Sequence, residues 1–312
     1  MKKKKTSHSL RSILQKSYFL MLLCVFVAFM LYFIISESQR IRDNAFHSME
    51  SNVNTVSSYI DSEISILNTV AQNVAYSNLI KERFSAYLND ISVPSAPVSP
   101  SQAYSYLENT KVLTDLLTSI IGPRQPVCQI KLYSLDYGTF GIGHNSSASR
   151  ESVKTQPWYN DFVLSSRSYK IYCYPDQSLN RYYTGHNDML FLSFCSMYYN
   201  NYNVPQGIVE VKNPLTSLTK KIDELGSLYG EQIYIYNSDG SLIYPSSAMD
   251  PGYFSRLTWN TEKNISDSIF SDKLSDKIQL FYTQDNSGSF TSVIAINNQQ
   301  LWTPIFDHIK IN

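Results

Sequence analysis

Tyr18 to Ile35 reads YFLMLLCVFVAFMLYFII, eighteen uncharged and mostly apolar residues with no second run like it in the chain. Twelve of the residues from Phe19 to Ile35 are Leu, Ile, Phe or Val. At roughly −0.3 to −0.6 kcal/mol each, these favour insertion into a bilayer by about 5 kcal/mol. A bilayer core needs roughly 20 apolar residues of helix, and a buried soluble helix is seldom this apolar on every side. A cleaved leader would have a shorter core, about 7–15 residues, followed by a small-x-small site. Here Ile34-Ile35-Ser36-Glu37-Ser38-Gln39 follows, which is poor cleavage chemistry. The segment is therefore read as an uncleaved anchor over 17–36.

The charges on either side set its direction. Before the anchor stand Lys2 to Lys5, Arg11 and Lys16 with no acid. The positive-inside rule keeps this 1–16 tail in the cytoplasm and exports everything after it, so a single-pass protein of the cell membrane is expected, in contact with lipid. All 26 acidic residues lie beyond the anchor with 20 of the 26 basic ones, a net charge of −6 for the exported part. A mildly acidic surface rich in Ser, Asn and Tyr disfavours nucleic acid as a partner. Cys24 lies in the anchor and Cys128, Cys173 and Cys195 outside it. That odd number allows at most one internal disulfide, and Cys173 with Cys195 is open if their strands are neighbours. Each is equally readable as a small buried apolar side chain. No C-x-x-C pair or His–Cys grouping points to a metal, and no cofactor is expected.

From Ser36 to about Tyr87 there is no Pro or Gly. Ile41, Ala45, Met49, Val53, Val56, Ile60, Ile64, Leu67, Val70 and Val74 recur in steps of three and four, which predicts one apolar stripe on a long stalk helix over 37–90. Its upper half is expected to pack on the chain's own domain and its lower half on a second copy, giving a homodimer through the long helix. Three prolines make Ser92–Pro100 an extended loop. A second helix is predicted from Ser101 to Ile121, stopped by Gly122-Pro123. Strand chemistry follows at Val127–Leu135, Tyr169–Tyr174, Met189–Tyr199 and Gly207–Val211. A helix over Pro214–Leu225 precedes Gln232–Tyr236, the turn Asn237-Ser238-Asp239-Gly240 and Ser241–Tyr244, the strongest hairpin signal in the chain. Lys277–Thr283 and Ser289–Asn297 read as another hairpin. The fold class is α+β: a long N-terminal membrane and stalk helix, then two antiparallel sheet units, a membrane-distal one over 91–213 and a smaller membrane-proximal one over 214–312.

This order of elements, with Gln156-Pro157-Trp158-Tyr159, the Pro205–Val211 strand and the Ile233–Gly240 hairpin, resembles the double-Cache extracytoplasmic sensor modules. It is most similar to those of YesM-like sensor histidine kinases. The resemblance implies two PAS-like sheets threaded by a shared helix, with a small-molecule pocket in the distal sheet. It also implies a second membrane helix and a cytoplasmic transmitter after the module. Leu301–Asn312, with Asp307, His308 and Lys310, is too short to span. No phosphoacceptor-histidine helix or glycine-rich ATP box is present around His8, His47, His144, His186 or His308, so no kinase chemistry is expected on these residues. No G-x-S-x-G, H-E-x-x-H or close carboxylate pair suggests a hydrolase.

The distal unit is dense in Tyr133, Trp158, Tyr159, Tyr172, Tyr174, Asp176, Arg181, Tyr183 and Asp188, the mixture of ring faces and fixed polar groups that polar-solute pockets use. An equal reading makes Trp158 and Tyr159 a core anchor. The amino-acid-binding subset of these modules carries Arg-x-Trp-Tyr and, about fifteen residues on, Tyr-x-Asp. Trp158-Tyr159 and Tyr174-Pro175-Asp176 fit that spacing, but Gln156 stands at the arginine position. An amide cannot replace a guanidinium's charge on a carboxylate. A neutral solute, a sugar or an amine facing Asp176 therefore fits as well as an amino acid. Gln156, Trp158, Tyr159, Tyr174, Asp176 and Tyr133 are the expected ligand contacts of a two-component sensor. A methyl-accepting receptor or a cyclase could carry a similar module, and a surface structural or adhesive protein without a ligand is the competing class. An alkaline phosphatase fused after Asn312, active only when exported, should be fully active in cells, whereas a β-galactosidase fused there should be inactive.

Overall fold

The computed structural model describes residues 10–92, 99–122, 126–144, 149–180, 182–183, 189–200, 202–225, 229–245, 249–258, 269–275, 277–297 and 299. Most of the basic tail and proline loop, Arg181, Asp188 and the tail 301–312 lie outside the described residues.

One helix, α1 (Leu10–Ala75), runs unbroken through the apolar segment and the stalk, 66 residues or about 100 Å. Between Ile13 and Ile35 its apolar side chains project outward with nothing of the chain covering them. From Ser36 to Asn44 the helix carries no buried residue. At Ala45 burial begins, and every stripe position from Ala45 to Val74 is buried. The stripe is used up inside the chain. Ala45, Met49 and Val53 pack on Phe281, Ile294 and Ile296, while Val56 to Val74 join Ile130, Leu192, Val209 and Val211. The expected pairing of the lower half with a second copy does not use Ala45, Met49 or Val53, which cover the proximal sheet. A partner would have to meet α1 on another face or below Ala45.

The stalk also ends earlier than its pattern suggests. α1 stops at Ala75, and α2 (Asn78–Ser92) starts after Ser77, whose hydroxyl accepts from the Ile80 N–H at 3.4 Å. A serine cap breaks the run, where a proline or glycine would have been visible. α3 (Pro100–Ile121) opens with a capping box in which Ser99 and Gln102 satisfy each other's backbone N–H. α2 and α3 are clamped by Asp90, which accepts from Ser105 and Asn109.

The distal sheet contains β1 (Gln129–Ser134), β2 (Thr139–Gly143), β3 (Tyr169–Pro175), β4 (Leu190–Tyr199) and β5 (Pro205–Pro214), all antiparallel, in the order β2-β1-β5-β4-β3. Two short helices, α4 (Tyr159–Leu164) and α5 (Gln177–Asn180), lie in its connections, and α6 (Thr216–Asp223) follows it. The proximal sheet contains β6 (Gln232–Asn237), β7 (Leu242–Tyr244), β8 (Phe270–Lys273), β9 (Ile278–Gln284) and β10 (Phe290–Asn297), in the order β7-β6-β10-β9-β8. Counted from the first strand of each, the two orders are identical, a repeat that the sequence does not display. The Asp-Gly turn closes β6 on β7: Gly240 takes a positive φ of 84° and its N–H reaches the Asn237 carbonyl at 2.9 Å. Strands β2 and β8 were not expected. The first contains Gly141 and Gly143, and the second is a four-residue piece with two charges.

The β3–β4 register also disposes of the disulfide. Cys173 lies opposite Leu192 and Cys195 opposite Lys170, three positions apart along β4, so the thiols point to opposite faces and both are free. Cys173 packs with the helix-side core and Cys195 with the outer one.

Gly207 in β5 faces Tyr198 of β4, whose ring occupies the space a side chain would need. A Cβ there would fall 2.1 Å from the Tyr133 carbonyl oxygen. Gly207→Ala should therefore destabilise the protein by about 3 kcal/mol, read as a lower urea midpoint at unchanged slope.

Candidate functional site

Along β5 the side chains alternate. Val209 and Val211 join the core built on α1, and Ile208, Glu210 and Lys212 face the other way, onto the outer face of the distal sheet. The segment carrying Val153, Trp158 and Phe162 packs over this outer face, so it is enclosed too. Glu210 and Lys212 are each 1 % exposed. Strand register brings their partners: Gln129, Lys212, Ser193 and Tyr172 form one row across the sheet, and Lys131, Glu210, Cys195 and Lys170 the next.

Glu210 accepts hydrogen bonds from the Tyr133 hydroxyl at 2.8 Å, the Tyr174 hydroxyl at 2.5 Å and the Ser193 hydroxyl at 2.8 Å. The Lys212 ammonium lies 3.3 Å from the same carboxylate and donates to Asp176 at 2.7 Å. Asp176 in turn accepts from the backbone N–H and hydroxyl of Ser178, at the start of α5. A buried charge is tolerated only when paired and hydrogen-bonded, and here every charge is both.

The proton affinities follow from that pairing. Burial pushes the Glu210 carboxyl up, but the charge of Lys212 and the Tyr174 and Ser193 donors outweigh it and hold it below its usual range. Asp176 is likewise pushed up by burial and drawn down further by Lys212, ending low. Burial works against the Lys212 ammonium, yet Glu210 and Asp176 raise its pKa above the ordinary lysine value. Tyr133 and Tyr174 are held well above a normal phenol by burial first and by Glu210 second, so they stay protonated as donors.

Trp158 precedes α4 and roofs the network. Its ring packs edge-on against Tyr133 and Phe162, with centroids 5.7 and 6.1 Å away, and stacks on Tyr172 at 6.3 Å. At 3 % exposure its indole N–H has no acceptor among the described residues. Tyrosine and tryptophan polar atoms normally find one when buried.

Of the six residues singled out from sequence, Tyr133, Trp158, Tyr174 and Asp176 converge on this network. Tyr159 packs at its margin, half-buried. Gln156 does not join them: it donates to Glu151 at 2.9 Å, because the 3-10 turn Val153–Thr155 brings the two side by side. Glu210, Lys212 and Ser193 were missed. The available signal was the pair of charges alternating with valines in β5, which reads locally as a solvent face. A cleft of about 600 Å³ lined by Arg167, Tyr169, Ser238 and Ser289 lies beside β3 and includes none of the network residues.

No protein-family model matches the chain, and no curated protein sequence does. Solved structures do. The extracellular domain of vpHK1S-Z8, described as a histidine kinase, superposes with a TM-score of 0.54 at 12% identity over 84% of this chain and 97% of its own. The periplasmic sensory domain of the Campylobacter jejuni chemoreceptor Tlp1 gives 0.53 at 13% identity, covering 85% and 99%. A domain of a sensory box/GGDEF family protein from Vibrio parahaemolyticus gives 0.51 at 12%, covering 85% and 98%. The fold is that of the double-Cache extracytoplasmic sensor modules.

The linkage has a definite sign. Glu210 and Asp176, lowered when folded, stabilise the protein above their unfolded values of 4.5 and 3.8, and that contribution is lost as pH falls through the depressed values. Lys212, raised when folded, withdraws its contribution only as pH climbs past 10.5. Glu210→Gln should cost about 3–5 kcal/mol at neutral pH by leaving Lys212 half-paired, and should flatten the acid limb of a stability-against-pH curve.

Proposed function

We propose that this chain is the ligand-sensing module of a membrane-anchored signal-transduction receptor of the sensor-histidine-kinase kind, with its basic tail in the cytoplasm and its sheets outside. The carrying observation is the buried polar face of the distal sheet, complete in its charges yet holding a Trp158 N–H without an acceptor. The proximal sheet, with the same strand order, closes its outer side with Leu280, Val293 and Ala295 under Tyr253 and Phe254. A polar solute presenting an acceptor oxygen to Trp158, with ring contacts from Tyr133 and Tyr159 and polar contacts from Tyr174 and Asp176, suits the face. Sugars and other hydroxylated or carboxylated solutes belong to this class.

The route to the membrane is β5. Its outer residues meet the solute face while Val209 and Val211 pack on α1. Just beyond, the Asn213 amide donates to Glu63 of α1 at 3.3 Å, and Lys221 of α6 donates to the same carboxylate at 2.7 Å. A solute that binds two packings of β5 unequally shifts α1 by that difference and no more.

With the full chain in lipid nanodiscs, at least one member of a broad nutrient panel should raise Tm. Trp158→Phe, which keeps a ring and loses the N–H, should weaken that solute about tenfold. A panel without a stabilising member, or a gain untouched in the Phe variant, would overturn the reading.

A further inference from the structure

Lys212 stands in a setting built for a cation. Its ammonium lies 2.7 Å from Asp176, 3.3 Å from Glu210 and 5.1 Å from the centre of the Tyr174 ring. Two carboxylates and an aromatic face are what a protein presents to a small ammonium ion. These walls are positioned without the lysine. Glu210 is fixed by Tyr133, Tyr174 and Ser193, and Asp176 by the backbone and hydroxyl of Ser178.

Nor does the sheet need a charge there to fold. A buried ion pair is seldom more stabilising than apolar residues of the same volume. The central strand of the other sheet, β10, supplies the comparison: it carries Val293 and Ala295 on its outer face.

The geometry points to a preformed ammonium cage, walled by Asp176, Glu210 and Tyr174, whose resident is the chain's own Lys212, so that the sensing face is closed to primary amines and open to solutes bearing acceptor oxygens. This rests on the outer face being the solute site. Of the solutes that the sequence leaves open, an amine facing Asp176 would have to displace a lysine held by two carboxylates.

Lys212→Ala removes the atoms of n-propylammonium and leaves the walls standing. In the full chain in nanodiscs, Tm of this variant should fall below that of the wild type, then rise by several degrees, saturably, with n-propylammonium chloride. Neither n-propanol nor tetramethylammonium chloride should restore it. Wild type and Lys212→Met, whose unbranched stem fills the same channel, should not respond to the amine. A folded Lys212→Ala that ignores n-propylammonium, or a wild type stabilised by it, would overturn the proposal. If the Ala variant does not fold, the wild type decides by nitrogen-15 NMR. A slowly exchanging lysine ammonium signal that disappears in Lys212→Met supports the cage, and its absence overturns it. No natural solute enters this experiment, so its failure leaves the solute reading standing, and a failed nutrient panel leaves the cage standing.

Discussion

One stripe on one helix holds this molecule together. Ala45, Met49 and Val53 bury against the proximal sheet, and Val56 to Val74 join the core of the distal one, which also takes in Ile235, Ile243 and Phe290 of the proximal sheet. Each fully buried Val, Leu or Ile contributes roughly 1.5–3 kcal/mol over leaving it in water. The stripe thus commits one face of each sheet to α1. Strand alternation then does the rest: with Val209 and Val211 turned to the helix, β5 has to present Ile208, Glu210 and Lys212 on the opposite side. The polar site is where it is because the helix took the other face.

What could be read in advance had a local cause. The span from Tyr18 to Ile35 and the Asp239-Gly240 turn each depend on a few adjacent residues and stand where the chain says, and α3 begins at Pro100, one residue before the expected Ser101. The break at Tyr76-Ser77 was hidden because a serine caps a helix without forbidding its continuation. Strand β2 was hidden by its glycines. The central pair Glu210 and Lys212 was hidden for a different reason. Charges alternating with valines describe a strand wet on one side, and only the segment around Val153, Trp158 and Phe162, far off in sequence, turns that wet side into an interior. Gln156 shows the converse. Its place beside Trp158-Tyr159 suggests a ligand contact, yet a local turn gives its amide to Glu151.

The two sheets share a strand order and differ in what they put outside. The proximal one has tyrosines whose hydroxyls are satisfied on the spot, Tyr236 by Asp250 at 3.0 Å and Tyr282 by Asp272 at 2.6 Å. The distal one gathers three ionised groups, Glu210 and Lys212 from the central strand β5 and Asp176 from just past the end of β3. It leaves the Trp158 N–H without an acceptor among the described residues, whereas on β10 of the proximal one it is the Thr291 and Ser292 hydroxyls that lack a partner.

Between Ile35 and Ala45 α1 crosses about 15 Å with no buried side chain. The ion pairs there, Arg40 with Glu37 and Arg42 with Asp43, are largely exposed and contribute little. Among the described residues no side chain buries in that stretch, and the continuous helix α1 links the sheets to the apolar span. Among the described residues, a rotation of α1 above Ala45 reaches the apolar span through the helix itself, whose torsional stiffness sets how much of it arrives.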